Sequence, residues 1–232
     1  MEFIDRNSFD VRAAVYTLKH PSNRLEFILL PMIHVGTPEY YRKMRGRLEQ
    51  CDRILFEGVS GTTTRILTLA YRFMVRRERL GLVTQEELRI QELGAKLVHA
   101  DVDAGSFQNA WSGIPLRVRA LLVAAVPLYA LYLYLSATRE SIAKGMEIGD
   151  LPTSEEILDA SDESEQVDEV VLHGRDAHLA ALIVDLHRKE CKSALKIAIL
   201  FGAAHMRAVA RVLINTLSYR IVAGDWVTVF EL

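Results

Sequence analysis

The sequence predicts an α/β fold, with a mostly parallel or mixed central sheet flanked by helices and a helical hydrophobic insertion. Three observations carry this expectation. Short apolar runs of strand length, "EFILLPMIH", "RILFE", "AKLVH" and "LKIAILF", are separated by stretches of helical spacing. Such alternation builds parallel pairs, because a parallel partner can only be reached through a crossover connection. The runs at the two ends of the chain, "VRAAVYTLK" and "YRIVAGDWVTVFEL", suit antiparallel edges on the same sheet.

From the start of the chain, "VRAAVYTLKHPSNRLEFILLPMIHV" reads as two strands joined by a turn at "HPSNR", where Pro21, Ser22 and Asn23 supply turn chemistry. After "GTPEYY" a basic helical stretch leads to "RILFEG", a short buried strand. A helical region comes next with Arg65, Arg72, Arg76, Arg77 and Arg79 among apolar residues, a solvated face whose arginine stems pack on the protein. "AKLVHADVD" is a third inner strand ending in carboxylates, and "LKIAILF" a fourth, leading into the helix "AHMRAVARVLINTL". The chain closes in two short runs around Gly224-Asp225. Residues 1–232 are expected to form a single domain, interrupted by residues 112–165.

That interruption has two parts. Residues 145–174 contain no Lys or Arg but eight acidic side chains from Glu155 to Glu169, which predicts a mobile acidic connector; "TSEEIL" also suits a short capped helix. Residues 120–137, "ALLVAAVPLYALYLYLSA", make a helix about 27 Å long, close to the thickness of a bilayer core. Arg117, Arg119 and Arg139 flank it. A single crossing would leave His34 and Glu57 on one side of a membrane and His205 on the other. One shared site therefore requires this segment to be buried, to pair with another copy, or to lie on a membrane surface. Tyr129, Tyr132 and Tyr134 suit such an interface.

Charge and cysteine content narrow the classes further. A net charge of −2 gives no basic field for nucleic acid, so none is expected as a partner. Cys51 and Cys191 match no metal or redox spacing, and the start "MEFIDRNSFD" is polar and acidic rather than a secretory signal. A cytoplasmic location is expected, with membrane association as the alternative. No Gly-x-Ser-x-Gly elbow or catalytic-cysteine motif is present, which disfavours a covalent nucleophile. His173, His178 and His187 lack the i,i+4 spacing of a helical metal pair and read as surface positions.

Three strand ends carry chemistry. His34 ends "FILLPMIH", Glu57 ends "RILFE" and His205 follows "AILFGAA". In open α/β sheets functional groups gather beyond the carboxyl ends of the strands. Two imidazoles and a carboxylate meeting there make a metal-binding set with a coordination position left for water. Taken singly, each also suits a hydrogen-bonded structural residue. Gly58 directly after Glu57, and Gly202 three residues before His205, favour close approach of a backbone or ligand.

The order strand-His, strand-Glu-Gly, a helical Arg-Asp pair and Gly-x-x-His resembles the TraB/PrgY/GumN family. That family is related to the Tiki proteases and, more distantly, to the ChaN and erythromycin-esterase-like proteins. The resembling stretches are "PMIHVGTPEYY", "CDRILFEGVSG", "LGLVTQEEL…LVHADVDAGSF", "HGRDAHLAALI", "ILFGAAHMRAVARVL" and the closing "AGDWVTVFEL". The resemblance implies a metal-dependent hydrolase, a peptidase, using manganese or cobalt, with zinc as an alternative. His34, Glu57 and His205 become the metal set, and Glu57 either a ligand or the general base. Arg175 becomes a group that holds a substrate carboxylate or stabilises an oxyanion. A peptide or small molecule is the implied substrate; the membrane-surface or homo-oligomer contact expected through residues 117–139 rests instead on the apolar run and its flanking arginines, since the resemblance does not cover about residues 112–165. Pro31 stands where the family has Gly, and Asp176 where Asn is common. Those departures favour the rival reading, a non-catalytic protein that sequesters a peptide signal or an iron- or haem-containing ligand. Asp101 and Asp103 are either extra oxygen ligands or hydrogen-bonding anchors.

Overall fold

The structure is a computed structural model and describes residues 1–58, 72, 75, 78–101, 104–148 and 174–232. The expected acidic connector falls almost wholly on 149–173, and the helical region carrying Arg65, Arg76 and Arg77 largely on 59–77. Both lie outside the described residues, as do Asp103 and His173.

The described residues form nine strands: β1 (Ile4–Arg6), β2 (Asp10–Lys19), β3 (Glu26–Met32), β4 (Val35–Gly36), β5 (Arg53–Phe56), β6 (Val83–Thr84), β7 (Leu97–His99), β8 (Lys196–Gly202) and β9 (Arg220–Glu231). Their helices are α1 (Pro38–Glu49), α2 (Ala104–Gly113), α3 (Leu116–Ser136), α4 (Arg139–Ile148), α5 (Gly174–Glu190) and α6 (Ala203–Arg211), the last running into a wider π turn at Val212–Thr216. Seven strands share one mixed sheet in the order β1-β2-β3-β8-β5-β7, with β9 also paired to β2. Its centre, β3-β8-β5-β7, is parallel, and β1, β2 and β9 add the antiparallel side. The expected α/β architecture with a mixed sheet and an apolar helix is the one observed.

Side chains on β8 alternate between two cores, as strand geometry requires. Ala198 and Leu200 face one, with Tyr40, Tyr41, Met44 and Leu48 of α1. Ile197, Ile199 and Phe201 face the other, with Leu179, Ile183 and Leu186 of α5 and Met206, Val209 and Leu213 of α6 and its π turn. Strands covered on both faces read as continuous apolar runs, which is why "KIAILF" shows no alternation.

The carboxyl end of the sheet is fixed by α1. Thr37 caps that helix, its Oγ1 accepting from Tyr40 N–H at 3.3 Å and donating to the Val229 carbonyl at 2.9 Å. Tyr40 and Tyr41 are fully buried and use their hydroxyls on the carbonyls of Pro31 (3.1 Å) and Ile33 (2.8 Å). Proline is accommodated at 31 by the same arrangement. β2 pairs with β3 only as far as Leu29, and the Pro31 carbonyl bonds to Tyr40, so no neighbouring strand needs an N–H from that side of residue 31.

One expectation is corrected. The end of the chain is not two runs around a turn at Gly224-Asp225 but one strand of 12 residues, with Gly224 opposite Tyr16 and Asp225 opposite Val15. Glycine serves packing there: a Cβ at 224 would stand 3.0 Å from the Tyr16 ring.

α3 spans Leu116–Ser136 and is long and apolar enough to cross a membrane by length and composition, with 20% of its most apolar window buried. Its flanks settle its topology. β7 before it and Ala137, Ile142 and Ala143 after it belong to the same sheet and core. Among the described residues α2 is the one helix between β7 and α3, and its 10 residues are too few to return across a bilayer. A single crossing is incompatible with this fold.

Candidate functional site

The parallel strands β3, β5, β7 and β8 end at the same edge of the sheet, and each delivers a polar group just beyond its end. Glu57 follows β5, its backbone N–H donating to the Leu200 carbonyl of β8 at 3.1 Å. That register brings its side chain against the end of β8, where Gly202 N–H donates to Oε2 at 2.5 Å. Asp101 stands two residues past β7; its side chain is fully buried and accepts from Gly58 N–H at 3.2 Å.

Arg175 joins these two carboxylates from the first turn of α5. Its Nε donates to Asp101 Oδ1 at 2.8 Å, and its Nη2 to Asp101 Oδ2 at 2.6 Å and to Glu57 Oε1 at 2.5 Å. The planar guanidinium suits a two-point grip on a carboxylate, which an ammonium group cannot reproduce. α5 is set by Leu179, Ile183 and Leu186, which recur at helical spacing and lock its inner face to the sheet. Arg175 and Asp176 lie one turn earlier and so reach the sheet edge.

His205 lies in the first turn of α6, not on the strand itself. It is 3% exposed, its ring edge-on to Phe201 at 5.9 Å. Its Nδ1 donates to Asp176 Oδ1 at 2.7 Å, which fixes the tautomer and leaves Nε2 as the basic nitrogen. That nitrogen is 3.8 Å from Glu57 Oε1. His34 is held in the same manner at Nδ1. Its Nδ1 donates to the Gln85 amide oxygen at 2.8 Å, while Gln85 N–H donates to the His34 carbonyl at 3.0 Å.

Burial alone would push the Glu57 carboxyl up. The charges of Arg175, His205 and His34, together with the Gly202 N–H, outweigh it and hold the group at about 2. Glu57 is therefore ionised throughout the physiological range. Burial would lower Arg175, but its bonds to Asp101 and Glu57 prevail and raise it.

No protein-family model, curated protein or solved structure matches this chain. The candidate site therefore stands on its own geometry.

Of the residues expected to act together, Glu57, Arg175 and His205 are in one cluster, and His34 is near enough for its charge to act on Glu57. As arranged, His34, Glu57 and His205 do not form a ligand set. Among the described residues no group of three or more His, Cys, Asp or Glu side chains is placed to hold a metal ion. Arg175, expected to face substrate, directs three bonds at Asp101 and Glu57 instead. Two contributors, Gln85 and His99, are not singled out in the sequence. Gln85 is 51 positions from His34 and, although it lies in the resembling stretch "LGLVTQEEL", nothing local marks it as a partner of that histidine. Asp176 is visible there only as a departure from a family pattern. His99 donates from Nε2 to the Gly58 carbonyl at 2.7 Å and so braces the loop after Glu57. Of the helical histidines, His178 is exposed, whereas His187 is half-buried and bonds to Tyr219 Oη at 3.0 Å.

Proposed function

We propose that this chain is a hydrolase of TraB/Tiki type acting on carbonyl-centred bonds, peptide bonds foremost. The observation that carries the reading is His205: an imidazole buried beside the sheet, gripped at Nδ1 by Asp176, with Nε2 turned toward an ionised Glu57 at 3.8 Å. That separation suits a water hydrogen-bonded to both. His205 then takes a proton from the water as it attacks the carbonyl, and Asp176 stabilises the imidazolium that forms. Returning that proton to the leaving amine completes the cycle. Glu57 keeps the water oriented and adds negative potential beside the imidazolium. Arg175 and Asp101 hold Glu57 in place, so Arg175 is a positioning residue. The positive end of α6 lies at the same place and favours negative charge developing on the substrate.

A second observation favours a divalent ion. Three carboxylates, Glu57, Asp101 and Asp176, gather around the single guanidinium of Arg175 and the His205 ring, an acidic surplus that a divalent cation would offset. His205 Nε2 and Glu57 Oε1 would be its donors, with His34 a third after a shift of its side chain. Bound there, manganese or cobalt would lower the pKa of the attacking water.

The test is hydrolysis of a mixed peptide library by the full chain, read by mass spectrometry, with chelator and with added manganese or cobalt. Cleavage that disappears in His205→Ala supports the reading, and the metal dependence chooses between the two forms of it. Peptide binding without cleavage in any condition would replace it with the sequestering protein.

A further inference from the structure

The geometry points to α3 as a peripheral membrane anchor, a helix lying flat in the surface of an anionic bilayer with the site held beside the membrane. Leu116, Leu121, Leu128, Leu131, Tyr132 and Leu135 are between 50% and 73% exposed. At 100° per residue they occupy one half of the helix circumference, while Val118, Leu122 and Ala130, all under 9% exposed, occupy the other. Beyond Arg117 and Arg119 the helix is thus apolar on every side, yet the protein buries only 20% of its most apolar window. An interfacial helix ordinarily has a polar face toward water; here the body of the protein takes that place.

Charge and width choose the occupant. Arg117 and Arg119 stand in the first turn of α3 and no Asp or Glu falls within residues 104–138, whereas Arg139, past the far end, donates to the Leu80 and Glu231 carbonyls and is followed by Glu140. A second copy packed parallel on this helix would bring Arg117 and Arg119 against their own copies. The exposed half-cylinder is also wider than the seam that one partner helix covers. Anionic headgroups match the positive charge of Arg117 and Arg119 at the start of the helix, and a bilayer surface meets the whole exposed half. The fold excludes a single span, so the helix enters from the side.

Flotation of the full chain with vesicles tests this. The chain should float with phosphatidylcholine vesicles containing phosphatidylglycerol, less with phosphatidylcholine alone, and less again at high salt. Leu128→Glu and Leu135→Glu, both at exposed positions that leave the core intact, should each weaken binding about tenfold or more. Circular dichroism and light scattering on the same samples report folding and oligomeric state. Failure to float, equal binding to neutral vesicles, or variants that dissociate a dimer while still binding vesicles would each overturn the proposal. Peptide hydrolysis is not part of the readout, so this result stands apart from the enzymatic one.

Discussion

Asp176 holds His205: its Oδ1, in the first turn of α5, accepts from the imidazole Nδ1 in the first turn of α6 at 2.7 Å. The Arg175-Asp176 pair thereby divides its work, the guanidinium fixing the carboxylate and the aspartate fixing the base. Asn at 176 keeps an acceptor for Nδ1–H but loses the charge that stabilises an imidazolium, whereas Ala loses both. We expect kcat on a cleaved peptide to fall roughly 10–100-fold in Asp176→Asn and roughly a thousandfold or more in Asp176→Ala. Equal losses in the two variants would mean that the Asp176 charge contributes nothing to the rate.

Arg175→Met leaves Asp101 and Glu57 facing each other without their shared cation. Removing one partner from a buried ionic cluster costs about 3–5 kcal/mol, so the midpoint of urea unfolding should drop sharply. Arg175→Lys should recover only part of that loss, because one ammonium cannot make the paired bonds to Asp101. Full recovery with Lys would mean that the fork geometry is unimportant.

The acid limit of stability is set in part by Glu57. Its carboxyl is held below the usual value of 4.5, at about 2 in the folded chain. Such a group contributes stability that is complete above about 4.5 and is lost as pH falls toward about 2. Unfolding free energy measured from pH 5 to pH 2 should therefore fall more steeply for the native sequence than for Glu57→Gln. Parallel curves across that window would show that Glu57 is not paired as described.

Gln85→Ala removes the acceptor that orients His34 but touches an exposed side chain. Thermal stability should change by no more than about 0.5 kcal/mol, while manganese- or cobalt-dependent kcat/KM, in which His34 serves as a donor, falls roughly tenfold. Gln85→Glu, which retains an acceptor oxygen, should recover most of the rate. A stability loss matching the activity loss would reduce Gln85 to a structural role.

The strand ends are legible in the sequence because buried parallel strands announce themselves as uninterrupted apolar runs, and the residues just past them land at one edge of the sheet. His34, Glu57 and His205 are found in that way, as are Arg175 and Asp101 through their neighbouring motifs. Gln85 is not, since its contact with His34 depends on β4 and β6 pairing Val35 with Thr84, a long-range register without a local signature. Gly224 misleads for a related reason: glycine marks both turns and close packing, and only the Tyr16 ring across the ladder distinguishes them. For α3 composition gives the length, but which half stays uncovered depends on tertiary packing.

A double-mutant cycle between Glu57 and His205 on kcat/KM tests the shared site most directly. If both serve one water in one place, Glu57→Gln and His205→Ala will each remove most of the activity, and the double variant will lose little more than either alone. Losses that multiply, as for two independent groups, would contradict it.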